Sequence, residues 1–287
     1  MTNSALTLER ADWQATESAH AARADALTAG WRARRDRAGG KGGEKHPVED
    51  FLFTYYSYKP SLMRRWHPGA GIELLEAAAE PRANWKFAAQ GRHPGSVILD
   101  ESALRETRGG EFAAIRAILQ GTASRAAHFG CFGLHEWAMV YRQDEHRHEV
   151  PLRLGQQGTD AVVEAHDIRC SHFDAYRFFT PEAAPRNRLA PTRENQPLLE
   201  QAGCLHAGMD LYKWAVKLGP LVPGETLLDT FELARDIRWL DMRASPYDVS
   251  AWGGEAVPIE TPEGKAEYVR AQRGFTERGQ VLRERLL

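Results

Sequence analysis

The chain has 287 residues, of which 43% are hydrophobic, and this is enough to bury a sizeable core. The 37 basic and 39 acidic residues nearly balance, which argues against tight nucleic-acid binding driven by the phosphate backbone. No run approaches the roughly 18 apolar residues of a membrane-spanning helix, so we expect no membrane association.

Three cysteines are too few, and odd in number, for a disulfide framework. The N-terminus carries acidic residues and lacks the apolar segment of a secretory signal. Both observations predict a cytoplasmic protein in a reducing compartment.

The first 43 residues are expected to form an arm. Residues 5–37 are rich in alanine and arginine, and their apolar residues have helical spacing. Gly39–Gly43 breaks the helix and predicts a flexible link. We therefore expect residues 1–43 to be a peripheral helical arm and residues 44–287 to be a single, mainly helical domain.

The remaining pattern predicts a mainly α fold with a minor strand component and long proline-rich loops. We expect helices over residues 102–121, 123–142, 197–218 and 224–244, and a last helix that Thr261 caps ahead of Pro262. A short strand is expected within residues 151–158. Four prolines between residues 181 and 197 predict a loop.

Each cysteine precedes a histidine by two or four positions. The pairs are Cys131 with His135, Cys170 with His172, and Cys204 with His206. Residues four apart share a helical face, and residues two apart share a face of a strand. Thiols and imidazoles bind transition metals, but free cysteines are also common small core residues. Both alternatives stay open, and the missing C-x2-C spacing excludes a zinc finger.

Histidines and carboxylates also recur at helical spacing. His206 and Asp210 are four positions apart in a predicted helix and project from one face. His172 and Asp174 share a face if their segment is extended. Several segments that offer such groups are typical of a metal site inside a helical body. A network of buried hydrogen bonds is the alternative.

Aromatic and basic residues alternate between Phe51 and His67. Aromatic rings interleaved with cations suit the binding of a nucleobase or a single strand, although core packing accounts for most such rings. Tyr55, Tyr56 and Tyr58 are too close together to be all in the core. We expect one or two of them to line a cleft.

Five segments carry a family resemblance. They are HPVEDFLFTYYSYKP from residue 46, HFGCFGLHEWAMVYR from residue 128, SHFDAYRFFTP from residue 171, CLHAGMDLYKWA from residue 204, and DMRASPYD from residue 241. Through them, residues 44–250 resemble an actinobacterial family labelled 3-methyladenine DNA glycosylase. The turn at Pro223 and Gly224, followed by Asp241, is similar to the hairpin of helix-hairpin-helix glycosylases.

The resemblance implies a DNA-repair hydrolase that flips an alkylated purine out of DNA and releases it without a cofactor. Such an enzyme needs a carboxylate, for which Glu136, Asp210 and Asp241 are the candidates. The flipped base would stack on aromatic rings, and the candidates are Tyr55, Tyr56, Tyr58 and Trp137. Arg64, Arg65 and the arginines of residues 32–37 would contact phosphates.

The alternative is an enzyme that acts on a small molecule through a divalent metal. Its ligands would be His135, His172, His206 and Asp210. Under either hypothesis we expect these four residues and Glu136 to converge on one polar cleft. They lie in otherwise apolar segments, where each unpaired polar group would cost about 1–3 kcal/mol.

Overall fold

Helices make up most of the chain in a computed structural model, which describes residues 6–37, 46–144, 146 and 149–287. The mainly α fold predicted from the sequence is confirmed. The helices of the described residues are α1 (Arg10–Arg37), α2 (Glu49–Tyr55), α3 (Pro60–Met63), α4 (Glu101–Ser124), α5 (Leu134–Ala138), α6 (Gly155–Glu164), α7 (Phe173–Tyr176), α8 (Gln196–Leu199), α9 (Leu205–Leu218), α10 (Gly224–Arg243) and α11 (Pro262–Leu286).

Four three-residue strands form one small sheet. They are β1 (Leu6–Leu8), β2 (Ile72–Leu74), β3 (Ala88–Gln90) and β4 (Val97–Leu99), in the order β1-β2-β4-β3. β1 runs parallel to β2, with Leu6 opposite Ile72, and the other neighbours are antiparallel. The first strand of the chain therefore completes an edge of the sheet.

The core of the domain lies where α9 packs against α10 and α11. Both α9 and α10 are apolar on most sides, and residues such as Tyr212 and Phe231 are buried between them. Gly208 permits the close approach of the two helices, because a Cβ atom there would lie 2.8 Å from Cδ1 of Ile237. This contact fixes the relative positions of the polar side chains on α9 and α10.

The predicted helices agree with the structure where their ends carry clear signals. α4 and α10 occupy the predicted ranges, and α11 begins after Thr261, whose hydroxyl accepts a hydrogen bond from the amide of Gly264. The proline-rich segment before α8 is largely loop, as expected.

Three predicted elements are wrong. The helix over residues 123–142 is reduced to α5, because Phe132 and Gly133 have φ angles of 47° and 71°, which no α-helix accommodates. The helix predicted from residue 197 begins only at Leu205. The strand within residues 151–158 is a single bridge from Leu152 to Tyr247, and α6 follows at once.

The N-terminal segment is helical as predicted, but the prediction that it is peripheral is wrong. β1 belongs to the sheet, and α1 packs against α3 and α10. Trp13 is 1% exposed and contacts a cluster that includes Trp66 and Leu74, while Ala24 belongs to the main core. The predicted link Gly39–Gly43 lies outside the described residues.

We expect Trp13→Ala to lower the free energy of unfolding by about 3–5 kcal/mol, because it removes a large buried side chain. Urea unfolding followed by circular dichroism measures the change. Leu6→Ala is the control in the same segment, since Leu6 is 71% exposed, and it should change stability by less than about 0.5 kcal/mol. Unchanged stability of the Trp13 variant would show that the segment contributes little to the fold.

One carboxylate, Glu73, is enclosed next to the sheet. Its Oε1 atom accepts hydrogen bonds from the amide of His93 at 2.8 Å and from the hydroxyl of Ser96 at 2.5 Å. These two bonds, the amide of His93 first, lower the pKa of Glu73 to about 2. Glu73 therefore stabilises the folded protein above pH 4.5, and this contribution is lost as the pH falls through 2.

Glu73→Gln should destabilise the protein by about 1–2 kcal/mol at pH 7, because the amide accepts the same hydrogen bonds less strongly than a carboxylate does. The difference from the original protein should shrink as the pH falls from 4.5 toward 2. Chemical denaturation at a series of pH values measures it, with the exposed Glu76→Gln as the control. A difference that is independent of pH would contradict the assignment.

Candidate metal centre

Three histidines from separate segments meet in the core. His135 lies on α5, His172 directly precedes α7, and His206 lies in the first turn of α9. The ring centroid of His206 is 4.4 Å from that of His135 and 5.2 Å from that of His172. The three histidines therefore lie close together as predicted from the sequence, and α9 is the element that joins their segments.

His135, His206 and Asp241 form a first triad of potential metal ligands. One ligand atom from each lies within 4.8 Å of the others. Nε2 of His135 is 3.0 Å from Oδ1 of Asp241, and the two atoms form an ion pair that lacks the alignment of a hydrogen bond. Both residues are at least 98% buried, so water does not compensate for the missing bonds. Two polar atoms are thus close together without hydrogen-bond alignment.

Coordination of one ion by both atoms would account for this arrangement. Two ligand atoms that are each ~2.1 Å from a metal and subtend ~90° at it lie ~3.0 Å apart. Their lone pairs then point at the ion rather than at each other. A direct hydrogen bond would instead place the N–H in line with the oxygen.

His172, Glu200 and Asp210 form a second triad on the other side of the histidine cluster from His135. Nε2 of His172 is 3.0 Å from Glu200 and 3.3 Å from Asp210, again without a hydrogen bond of normal geometry. Asp210 has further partners. Its two oxygens accept hydrogen bonds from the hydroxyl of Tyr56 at 3.2 Å and from Nζ of Lys213 at 2.8 Å. Asp210 is therefore held in a fixed orientation.

A buried arginine, Arg238, fixes the orientation of Asp241, as Tyr56 and Lys213 fix that of Asp210. Nη1 of Arg238 donates to Oδ2 of Asp241 at 3.0 Å and to Oε1 of Glu136 at 2.7 Å. All three side chains are at least 93% buried. The hydrogen bond from Arg238 engages Oδ2 of Asp241 and leaves Oδ1 directed at His135. Groups that surround metal ligands in other proteins orient them in this way.

Electrostatics give the three histidines different protonation behaviour. Burial lowers the pKa of His135, but the carboxylate of Asp241 outweighs this effect and raises it well above its usual range. Burial lowers the pKa of His172, but the carboxylates of Glu200 and Asp210 outweigh this effect and raise it to about 10. Burial and the neighbouring His135 hold the pKa of His206 well below its usual range. His206 is therefore neutral at pH 7 and retains a lone pair for coordination.

A small cavity opens beside the first triad, and we call it the Tyr55 cavity. It contains about 30 Å³ of free space, enough for two or three waters. Its wall combines aromatic and charged residues: Phe51, Tyr55, Phe178, Glu136, Arg238 and His206. The triad is consequently accessible to a small ligand through His206.

All three predicted carboxylates and one predicted tyrosine belong to this region, and Asp241 is part of the first triad. Glu136 and Tyr55 line the Tyr55 cavity, and Asp210 belongs to the second triad. Tyr56 is enclosed behind Asp210, and Tyr58 packs edge-on against Tyr212. The expectation that only one or two of these tyrosines line a cleft agrees with the structure.

Three other predicted site residues lie elsewhere. Trp137 is fully buried, and its indole donates to the carbonyl of Ala244, so its assignment as a stacking residue is wrong. Arg64 pairs with Asp25 at 2.9 Å, and Arg65 packs over the ring of Trp85. Neither arginine lines the Tyr55 cavity.

The structure adds residues that sequence reasoning missed. Glu200 joins the second triad from the turn before α9, and no spacing rule marks it. Asp241, considered only as a catalytic carboxylate, belongs to the first triad. Arg238 precedes Asp241 by three residues on α10, and Lys213 follows Asp210 by three residues on α9. This i,i+3 spacing of opposite charges could have predicted both ion pairs from the sequence.

The three cysteines are free thiols, and none belongs to either triad. Among the described residues, no helix has the length and apolar character required to cross a membrane. No protein-family model, curated protein or solved structure matches the chain. The functional inference therefore depends on the site itself.

Arg238→Met should lower the free energy of unfolding by about 3–5 kcal/mol, because it leaves two buried carboxylates without their cation. Urea unfolding measures this change. Arg278→Met is the matched control, since Arg278 pairs with Asp236 at 2.9 Å on the exposed surface and its loss should cost less than about 1 kcal/mol. Equal costs of the two substitutions would contradict the central role of Arg238.

Proposed function

We propose that the protein is a metal-dependent enzyme that acts on a small molecule, with a divalent ion held by His135, His206 and Asp241. The observation that carries this proposal is the 3.0 Å approach of two buried atoms, Nε2 of His135 and Oδ1 of Asp241, which form an ion pair without the alignment of a hydrogen bond. A native core rarely leaves such groups unsatisfied.

The donor set supports a catalytic rather than a structural ion. Two imidazoles and one carboxylate leave coordination positions for water or substrate, as catalytic zinc and non-haem iron sites do. The second triad adjoins the first through His206 and offers a place for a second ion. Two neighbouring ions would stabilise both the attacking and the leaving group of a hydrolysis.

Under this proposal, residues of the Tyr55 cavity supply the proton acceptor and the apolar surface that binds the substrate. A bound divalent ion lowers the pKa of its water ligand toward neutrality. Glu136 and Asp174 line the cavity with His206, and we assign the role of proton acceptor to Glu136, which Arg238 holds in place. Phe51 and Tyr55 stack with their centroids 5.0 Å apart and offer an apolar wall to a small substrate.

The dimensions of the cavity favour this proposal over purine release from DNA. A flipped purine is much larger than the two or three waters that about 30 Å³ holds. Some of the basic residues expected to contact phosphates are paired with carboxylates. Arg34 binds Glu49 and Asp50, and Arg64 binds Asp25.

Metal titration of the full-length protein tests the proposal, with manganese, iron(II), cobalt and zinc as separate probes. We expect His206→Ala to lower the affinity at the first triad at least about a hundredfold while the far-UV circular dichroism stays unchanged. His166→Ala is the control. This half-buried histidine hydrogen-bonds the carbonyl of Val162 and belongs to neither triad, so the substitution should leave the metal affinity unchanged.

Two results would overturn the proposal. The first is wild-type affinity for every probe metal in the His206 variant. The second is release of alkylated purines from DNA that persists in the presence of a chelator, which would establish the glycosylase activity implied by the sequence resemblance.

A further inference from the structure

We propose that the protein binds a medium-chain fatty acid in a groove beside α4, at a site separate from the histidine cluster. The groove contains about 390 Å³ of free space, against about 30 Å³ in the Tyr55 cavity. A volume of this size is typical of sites that bind small organic molecules. We call it the α4 groove, after the helix that supplies half of its lining residues.

The α4 groove lies at the far end of α9 from the histidine cluster. Leu218, the last residue of α9, lines the groove, whereas His206 lies in the first turn of the same helix. The helix rises ~1.5 Å per residue, so these two residues are ~18 Å apart along its axis. The lining residues of the groove belong neither to a triad nor to the Tyr55 cavity. The proposal is therefore independent of the proposed function.

Apolar side chains form the floor of the groove. Ile115, Leu218 and Val222 are buried in the main core, and Phe112 and Leu286 pack against it while partly exposed. If each methylene group occupies ~30 Å³, as a water molecule does in the liquid, the groove holds a molecule of roughly the size of decanoate. Transfer of the alkyl chain from water to this floor provides the hydrophobic part of the affinity.

The shape of the groove suits an extended chain. Arg105, Gly109, Phe112 and Arg116 are spaced by four, three and four residues on α4, so they project from the same face and line the groove together. From Arg105 to Arg116 the helix advances ~16 Å. Two acyl chains end to end make up the ~30 Å hydrocarbon core of a bilayer, so one extended chain has about this length.

Gly109 keeps the groove open. A Cβ atom at this position would meet no neighbouring atom within 4 Å, so no packing contact of the described chain requires a glycine there. Glycine in the interior of a helix is nevertheless destabilising relative to alanine. A larger side chain on this face would occupy the groove, and space for a ligand would account for the glycine.

The charges around the floor favour an anion. Three arginines line the groove, and none of its described lining residues has an acidic side chain. Two of the arginines are already paired, Arg105 with Glu101 at 3.1 Å. Arg285 pairs with Asp229 at 2.9 Å.

Arg116 is the cation that remains for the ligand. Within the described ranges of the chain, no carboxylate lies within ion-pair distance of its exposed guanidinium. One guanidinium carries a single positive charge, and its planar fork matches the two oxygens of a carboxylate. A fatty acid combines one carboxylate with an alkyl chain, and it therefore satisfies both the cation and the apolar floor.

Titration calorimetry of the full-length protein with decanoate, below its micellar concentration, tests the site. We expect saturable binding of one molecule per chain. Gly109→Leu should lower the affinity at least about tenfold, because the new side chain fills the groove. Gly110→Leu is the matched control, since this neighbouring glycine of α4 also has open space at its Cβ position but does not line the groove. It should leave the affinity unchanged.

The role of Arg116 gives a second measurement, which changes only an exposed side chain and so preserves the fold. Arg116→Gln should lower the affinity for decanoate about tenfold, and Arg116→Lys should restore part of it, because lysine keeps the charge. Decanol has the same chain without the carboxylate. Its affinity should be equal in the original protein and in the Arg116→Gln variant.

The proposal fails if decanoate shows no saturable binding, or if Gly109→Leu binds decanoate as tightly as the original protein does. Two further results would assign the groove to another occupant and would also overturn the proposal. The first is binding to phosphatidylglycerol vesicles, but not to decanoate, that Gly109→Leu abolishes. The second is a dimer in analytical ultracentrifugation that the same substitution dissociates, which would identify the groove as a contact between two copies of the chain.

Discussion

Arg238 is enclosed where α10 meets α5 and α2, and the structure around it follows from the need to compensate its charge. Its guanidinium binds Glu136 and Asp241 and lies 4.1 Å above the ring of Phe51. Since an enclosed charge without a partner costs several kcal/mol, the three segments that supply these contacts must fold together. The geometry of the first triad depends on this arrangement, because Arg238 determines which oxygen of Asp241 faces His135.

The two helices with the most buried residues, α9 and α10, each carry part of the site. α9 carries His206 and Asp210, and α10 carries Arg238 and Asp241. Gly208 lets these helices approach closely, two residues from His206, so the packing of the helices also sets the spacing of the potential ligands. The three cysteines line a cavity that His135 and His206 also border.

Local patterns predicted those features that depend on neighbours in sequence. The pair His206 and Asp210 followed from helical spacing, and convergence of the histidines followed from polar residues placed in apolar segments. Features that depend on distant contacts were not predictable. Glu200 enters the site from a loop, Trp137 is core because its indole reaches Ala244, and α1 is core because its partners lie in α3 and α10. No periodicity encodes such pairings, since their partners are far apart in the chain.

The contact between α1 and α10 also has a consequence for the order of folding during synthesis. Arg23 pairs with Asp229 and Glu232, which are translated more than 200 residues later. At ~5–20 residues per second, the ribosome supplies these partners only ~10–40 s after α1 has emerged. For that interval Ala24 has no final place in the main core. The cell must therefore keep the first helix soluble, by its own abundant charge or by a chaperone, until the last third of the chain arrives.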